Sequence, residues 1–131
     1  MPRKTGPDPR LLTELELEIM QTLWTHGEGT VRDAQAQLSE RELAYTTVST
    51  VLRILEQKGV VSSRKDGRAH IYTPLLSRAE HEALAVHHLV KRVFDGEPQG
   101  LVAHLIDVDD LGADELARLR TLIDERLKEI P

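Results

Sequence analysis

Between residues 45 and 58 two kinds of side chain alternate at helical spacing. At about 100° per residue, Val48, Val51, Leu52 and Leu55 fall on one side of a helix, and Thr46, Ser49, Thr50, Arg53 and Gln57 fall on the other. A helix pinned by its aliphatic side would turn hydroxyls, an amide and a guanidinium outward, groups that hydrogen-bond phosphate oxygens and base edges in a major groove. Taken alone, such a face is equally the solvated side of an ordinary helix. A second cluster follows in Arg64, Lys65 and Arg68, which surround Asp66-Gly67. Cations around a hairpin turn reach phosphates or a minor groove, so the two clusters together favour contact with a polyanion.

Other chemistries lack their residues. The chain has no cysteine, which excludes disulfides, cysteine zinc sites and thiolate nucleophiles. His81 and His88 share a helix face, with His87 off it, but without the i, i+4 spacing of helical metal ligands they read as ordinary solvent-facing histidines. Neither a metal nor another cofactor is expected. There is no GxSxG or HExxH, and Gly27-x-Gly29 is too little for a phosphate-binding loop. The carboxylates lie at helix starts and on polar faces, where capping and solubility explain them, so catalysis is not expected.

The whole chain, 131 residues with a formal charge of -5, suits one small domain or two half-sized ones. Its acidity is uneven: residues 1–76 hold ten Lys/Arg and ten Asp/Glu, residues 77–131 seven and twelve. Residues 45–70 carry five basic and two acidic side chains, a locally positive stretch on an acidic protein. With aromatic residues at only 3%, there is no platform for stacking single-stranded bases. No apolar run approaches the roughly 20 residues of a membrane span, and Met1-Pro2-Arg3-Lys4 does not open a signal peptide, which points to the cytoplasm.

The elements that must position these clusters follow from caps and periodicity. Residues 1–10, with three prolines, read as a disordered basic arm. Thr13 caps a helix that Gly27 stops, with Glu14, Glu16 and Glu18 near its positive end; Thr30 caps a second through Leu38; a third spans about 45–58 and ends at Lys58-Gly59. Two β-prone runs, 60–65 and 69–73, flank Asp66-Gly67, a turn signal in which both residues take positive φ. Three helices and a hairpin, over 11–76, make a winged-helix head. From 77 to 131 the pattern is helical. Ser77-x-x-Glu80 is a capping box opening a helix to about Phe94 with Val86, Leu89, Val90 and Val93 on one stripe. After a break at 95–98, Leu101 and Leu105 mark a short helix and Leu116, Leu119, Ile123 and Leu127 a final one. This tail has more aliphatic stripe than it can bury in itself, which marks it as an α-helical dimerisation module. The fold class is therefore mainly α with a small β-hairpin wing.

The run Leu12-Thr13-Glu14-Leu15-Glu16-Leu17-Glu18-Ile19-Met20, then Thr30-Val31-Arg32, Ala44-Tyr45-Thr46-Thr47-Val48-Ser49-Thr50-Val51-Leu52 and Glu56-Gln57-Lys58-Gly59-Val60-Val61, resembles the penicillinase-repressor and methicillin-repressor (BlaI/MecI) family. The resemblance covers nearly the whole chain after residue 10. It implies a winged-helix homodimer that represses genes from an inverted-repeat operator, with Tyr45, Thr46, Thr47, Ser49, Thr50 and Arg53 toward the DNA. It also implies a membrane sensor protease that relieves repression by cutting in the C-terminal region, where this chain has His104-Leu105 in place of an Asn-Phe bond. Members often carry Arg at the position of Ile54, whereas the charge here is at Arg53. Copper-responsive relatives use C-terminal cysteines, and this chain has none.

The expectation is thus a cytoplasmic homodimeric repressor that binds double-stranded DNA. Two alternatives stand beside it: a winged-helix module that docks a protein, and a repressor relieved by a small-molecule effector.

Overall fold

Reciprocal caps start the first two helices. The Thr13 hydroxyl accepts the Glu16 N–H at 3.3 Å while the Thr13 N–H donates to the Glu16 carboxylate at 2.8 Å, opening α1 (Glu14–His26); Gly27, at φ 87°, ends it. Thr30 and Asp33 repeat the device at 3.1 and 2.9 Å to open α2 (Val31–Gln37). The polar link that follows is a single 3₁₀ turn, Ser39–Arg41, and leads to α3 (Tyr45–Gln57). The computed structural model describes Asp8, residues 10–107 and residues 110–131. Of the expected arm, only Asp8 and Arg10 fall among the described residues, where their side chains pair at 2.8 Å.

The hairpin joins β1 (Val61–Asp66) and β2 (Ala69–Pro74) antiparallel, in register from Val61↔Pro74 to Asp66↔Ala69. The turn sits one residue later than the sequence suggested. Asp66 is still paired, so Gly67 and Arg68 are the central residues, and of the two only Gly67 has positive φ, at 65°. One positive φ at the first central position is the II′ arrangement, which asks for glycine there and leaves the second position to an ordinary residue. The base of the hairpin is tied to the turn before α2, since Gly29 and Tyr72 exchange backbone hydrogen bonds at 3.0 and 2.8 Å.

Ile19, Met20 and Leu23 of α1, Val31 and Ala34 of α2, Val48, Leu52 and Leu55 of α3, and Val60, Val61, Tyr72 and Leu76 form one buried core. It is almost wholly aliphatic.

Helix α4 (Arg78–Val93) opens with the expected Ser77/Glu80 box, at 2.9 and 3.0 Å. Its first part packs on the head: Leu84 touches the core, and the Trp24 indole N–H donates to the Leu76 carbonyl at 2.8 Å. His81, expected in solvent, is buried against the Trp24 ring at 5.9 Å between centroids. The physical reason is that Trp24 is pinned at its polar end and offers a face that α4 covers. Consequently one compact unit runs through His88 and a second begins at Leu89, whereas the change in sequence pattern falls at 76/77.

The second unit comprises the end of α4, α5 (Pro98–Asp107) and α6 (Ala113–Glu129). Asp95 and Gly96, at φ 51° and 81°, make the break between α4 and α5. The Phe94 and His104 rings meet tilted at 55°, with centroids 5.8 Å apart. None of the described residues from Leu89 onward is buried.

Candidate nucleic-acid interface

Helix α3 is held from its inner side and both ends. Val48, Leu52 and Leu55 are fully buried and Val51 half-buried. At its C-terminal end, the Lys58 ammonium donates to Glu16 at 2.7 Å, reaching across to the start of α1. At its N-terminal end, the Gln35 amide donates to the Leu43 carbonyl at 3.0 Å, fixing the turn that delivers the helix. Burial alone would raise the Glu16 carboxyl, but the Lys58 ammonium and the Thr13 amide and hydroxyl outweigh it, so the group sits below its ordinary value.

The outward side carries what the periodicity placed there. Thr46, Thr50, Arg53 and Gln57 are exposed and Ser49 is half-buried, and Thr47, put toward DNA by the resemblance alone, is exposed as well. Ile54 is also exposed and is not among the apolar residues packed on the core. Ala44 supplies no side-chain cap, leaving the first N–H groups of α3 available to an incoming acceptor. Tyr45 is 45% exposed and lies beneath the Arg32 guanidinium, 5.3 Å from the ring centroid.

The wing cations divide. Arg64 is committed to Glu28, with two hydrogen bonds of 3.0 and 3.1 Å, and this fork holds the Glu28 carboxyl below its ordinary value. It therefore braces β1 against the turn between α1 and α2. Lys65 points to the other face of the strand, and among the described residues neither it nor Arg68 is in an ion pair. Between the wing and α3 lies a cleft of about 270 Å³ lined by Arg32, Tyr45, Ser49, Arg68 and His70, among others.

Arg32, Glu28 and Lys58 were not singled out by sequence reasoning. Arg32 lies at the exposed second position of a helix read only for its cap and extent, and the other two act through partners 36 and 42 residues away. Among the described residues no group of three or more His, Asp or Glu is placed to hold a metal, and no helix is long and apolar enough to cross a membrane.

The Penicillinase repressor family model matches residues 12–125. The chain belongs to the penicillinase repressor family. It is 41% identical over 117 residues to the transcriptional regulator BlaI of Mycobacterium tuberculosis, covering 87% of this chain and 83% of that one. To the penicillinase repressor of Bacillus licheniformis it is 25% identical over 115 residues, covering 87% and 90%. The solution structure of the DNA-binding domain of the repressor BlaI superposes with a TM-score of 0.50 at 26% identity, over 57% of this chain and 93% of that one. This family member thus has the winged-helix fold: mostly helical, with a two-stranded antiparallel wing.

Proposed function

We propose that this chain is a DNA-binding transcriptional repressor that works in the cytoplasm as a homodimer, each protomer laying α3 in the major groove of one half of an inverted repeat. The observation that carries the DNA reading is α3 itself. Its inner side is locked in the core while Thr46, Thr47, Thr50, Arg53 and Gln57 stand outward beside a wing whose Lys65 and Arg68 are, among the described residues, in no ion pair. Hydroxyls, an amide and a guanidinium on a rigid helix suit base edges; Lys65 and Arg68 suit phosphates. The repressor has no part in catalysis. Repression follows from occupancy of DNA that polymerase needs.

The dimer is supported by unsatisfied apolar surface. On α4, Val86, Leu89 and Val93 are exposed; on α5, Leu105; on α6, Leu116, Ile123 and Leu127, the last at 60%. Val90, Leu101 and Leu119 are half-buried. A tail over 77–131 in which none of the described residues beyond His88 is buried gains its core from a second copy. Two linked heads then grip two half-sites at high effective concentration. Relief by a sensor protease at His104-Leu105, the route the family resemblance implies, meets a bond inside α5, so the helix has to open locally before it is cut.

Selecting duplexes from a random library with the full chain, then measuring affinity from 50 to 200 mM salt, tests the reading. The repressor is expected to prefer its selected duplex by roughly 10³-fold or more and to lose affinity steeply with salt. Salt-insensitive binding without sequence preference would favour a protein-docking module instead.

A further inference from the structure

We propose that the cleft between wing and α3 seats one phosphate of the DNA backbone, clamped by Arg32 and Arg68, with Tyr45 acting as the shelf that positions Arg32. The proposal rests on the DNA-binding reading and adds to it a residue of α2 and a role for Tyr45.

Three observations meet here. Among the described residues, four cations of this unit face carboxylates: Arg10 with Asp8, Arg41 with Glu18, Lys58 with Glu16 and Arg64 with Glu28. Arg32 and Arg68 have no such partner, and no Asp or Glu lines the cleft they share. On an acidic chain, a concave site with two guanidinium groups and no carboxylate is selective for an anion. Secondly, Arg32 is placed without being neutralised. Its guanidinium lies over the Tyr45 ring, 5.3 Å from the centroid, and a cation–π contact locates the cation while leaving its positive charge for a phosphate. Thirdly, the cleft is continuous with the reading surface, because Ser49 of α3 and Arg68 of the wing both line it. A strand that passes between recognition helix and wing brings a phosphate there, and two cations from different elements then fix the register of α3 along the groove.

Methylphosphonate substitution tests this by neutralising one phosphate at a time along the selected duplex. One position per half-site is expected to weaken the wild-type chain and to have little further effect on the Arg32→Ala/Arg68→Ala double variant. Arg32→Ala alone should weaken selected and scrambled duplexes alike. Its log-affinity against log-salt slope should be shallower by about 0.9, so between 50 and 200 mM salt the wild type loses about 3.5-fold more affinity than the variant. Arg32→Lys retains the slope, and Tyr45→Ala weakens the methylphosphonate coupling while Tyr45→Phe, which keeps the aromatic face, retains it; circular dichroism melts confirm that each variant folds. Equal sensitivity of wild type and double variant at every position overturns the clamp while leaving DNA binding intact. A wild type without sequence preference overturns the DNA reading and the clamp together. If inorganic phosphate at matched ionic strength saturates shifts of the Arg32 and Ser49 amides in the low-millimolar range while Arg32→Ala binds duplex normally, the cleft takes a free anion and the proposal fails.

Discussion

Replacing Lys58 with Met should reveal how firmly α3 is tied to the rest of the head. The ammonium lies 2.7 Å from Glu16, with side chains 24% and 7% exposed. Removing one partner of a fully buried pair costs about 3–5 kcal/mol, and an exposed pair is worth about 0.2–1 kcal/mol. This pair is intermediate, and Glu16 keeps the Thr13 N–H, so Lys58→Met is expected to cost about 2 kcal/mol, in the range of hydrogen bonds to charged groups. Glu16→Gln should cost less, since Gln at this position preserves the capping box. The pH dependence has a definite sign. The folded Glu16 carboxyl is held below the unfolded value of 4.5, so its contribution is fully present above that value and is lost as pH falls through the lower folded one. Urea denaturation of both chains at one protein concentration, at pH 7 and again at about pH 3.5, reads this directly. The stability gap should narrow on acidification. A gap under ~0.5 kcal/mol at pH 7, the size of an exposed pair, or one unchanged by acid, would refute the idea that this ion pair anchors the helix.

The wing cations should separate by salt. Lys65→Ala is expected to flatten the log-affinity against log-salt slope by about 0.9, and Arg64→Ala by clearly less, because its guanidinium is already held by Glu28; equal flattening would mean that the pair opens on DNA. Leu119→Asp/Ile123→Asp should sediment as a monomer with a folded head and bind a full inverted repeat no better than a half-site. A wild type that is itself monomeric at micromolar concentration would remove the basis for the two-half-site mechanism.

Local signals carried most of the fold. Thr13, Thr30 and Ser77 announce their helices because a capping box is written within four residues, and Gly27 ends α1 through its own backbone freedom. The outward face of α3 was legible because one period places both the buried and exposed sets. What escaped depends on partners far apart in sequence. Glu16 reads as one of three carboxylates favouring a helix start, yet it is the buried counter-ion of Lys58. His81 reads as a surface histidine until Trp24 is pinned by Leu76. Arg64 looks like its neighbours Lys65 and Arg68, and only the approach of Glu28 assigns it a bracing role. The hairpin turn moved by one residue because strand pairing at Asp66↔Ala69 decided it over the local Asp-Gly preference.

The specificity ratio of the full chain, its affinity for a selected inverted repeat over a scrambled duplex at the same salt, tests α3 as the reading element most directly. Measured for the wild type and for Arg53→Ala, it is expected to fall by about 5- to 150-fold in the variant, about 1–3 kcal/mol per lost base contact, with the melting transition unchanged because Arg53 is exposed. A folded Arg53→Ala chain that keeps the wild-type ratio would contradict the assignment of this face of α3 to base reading.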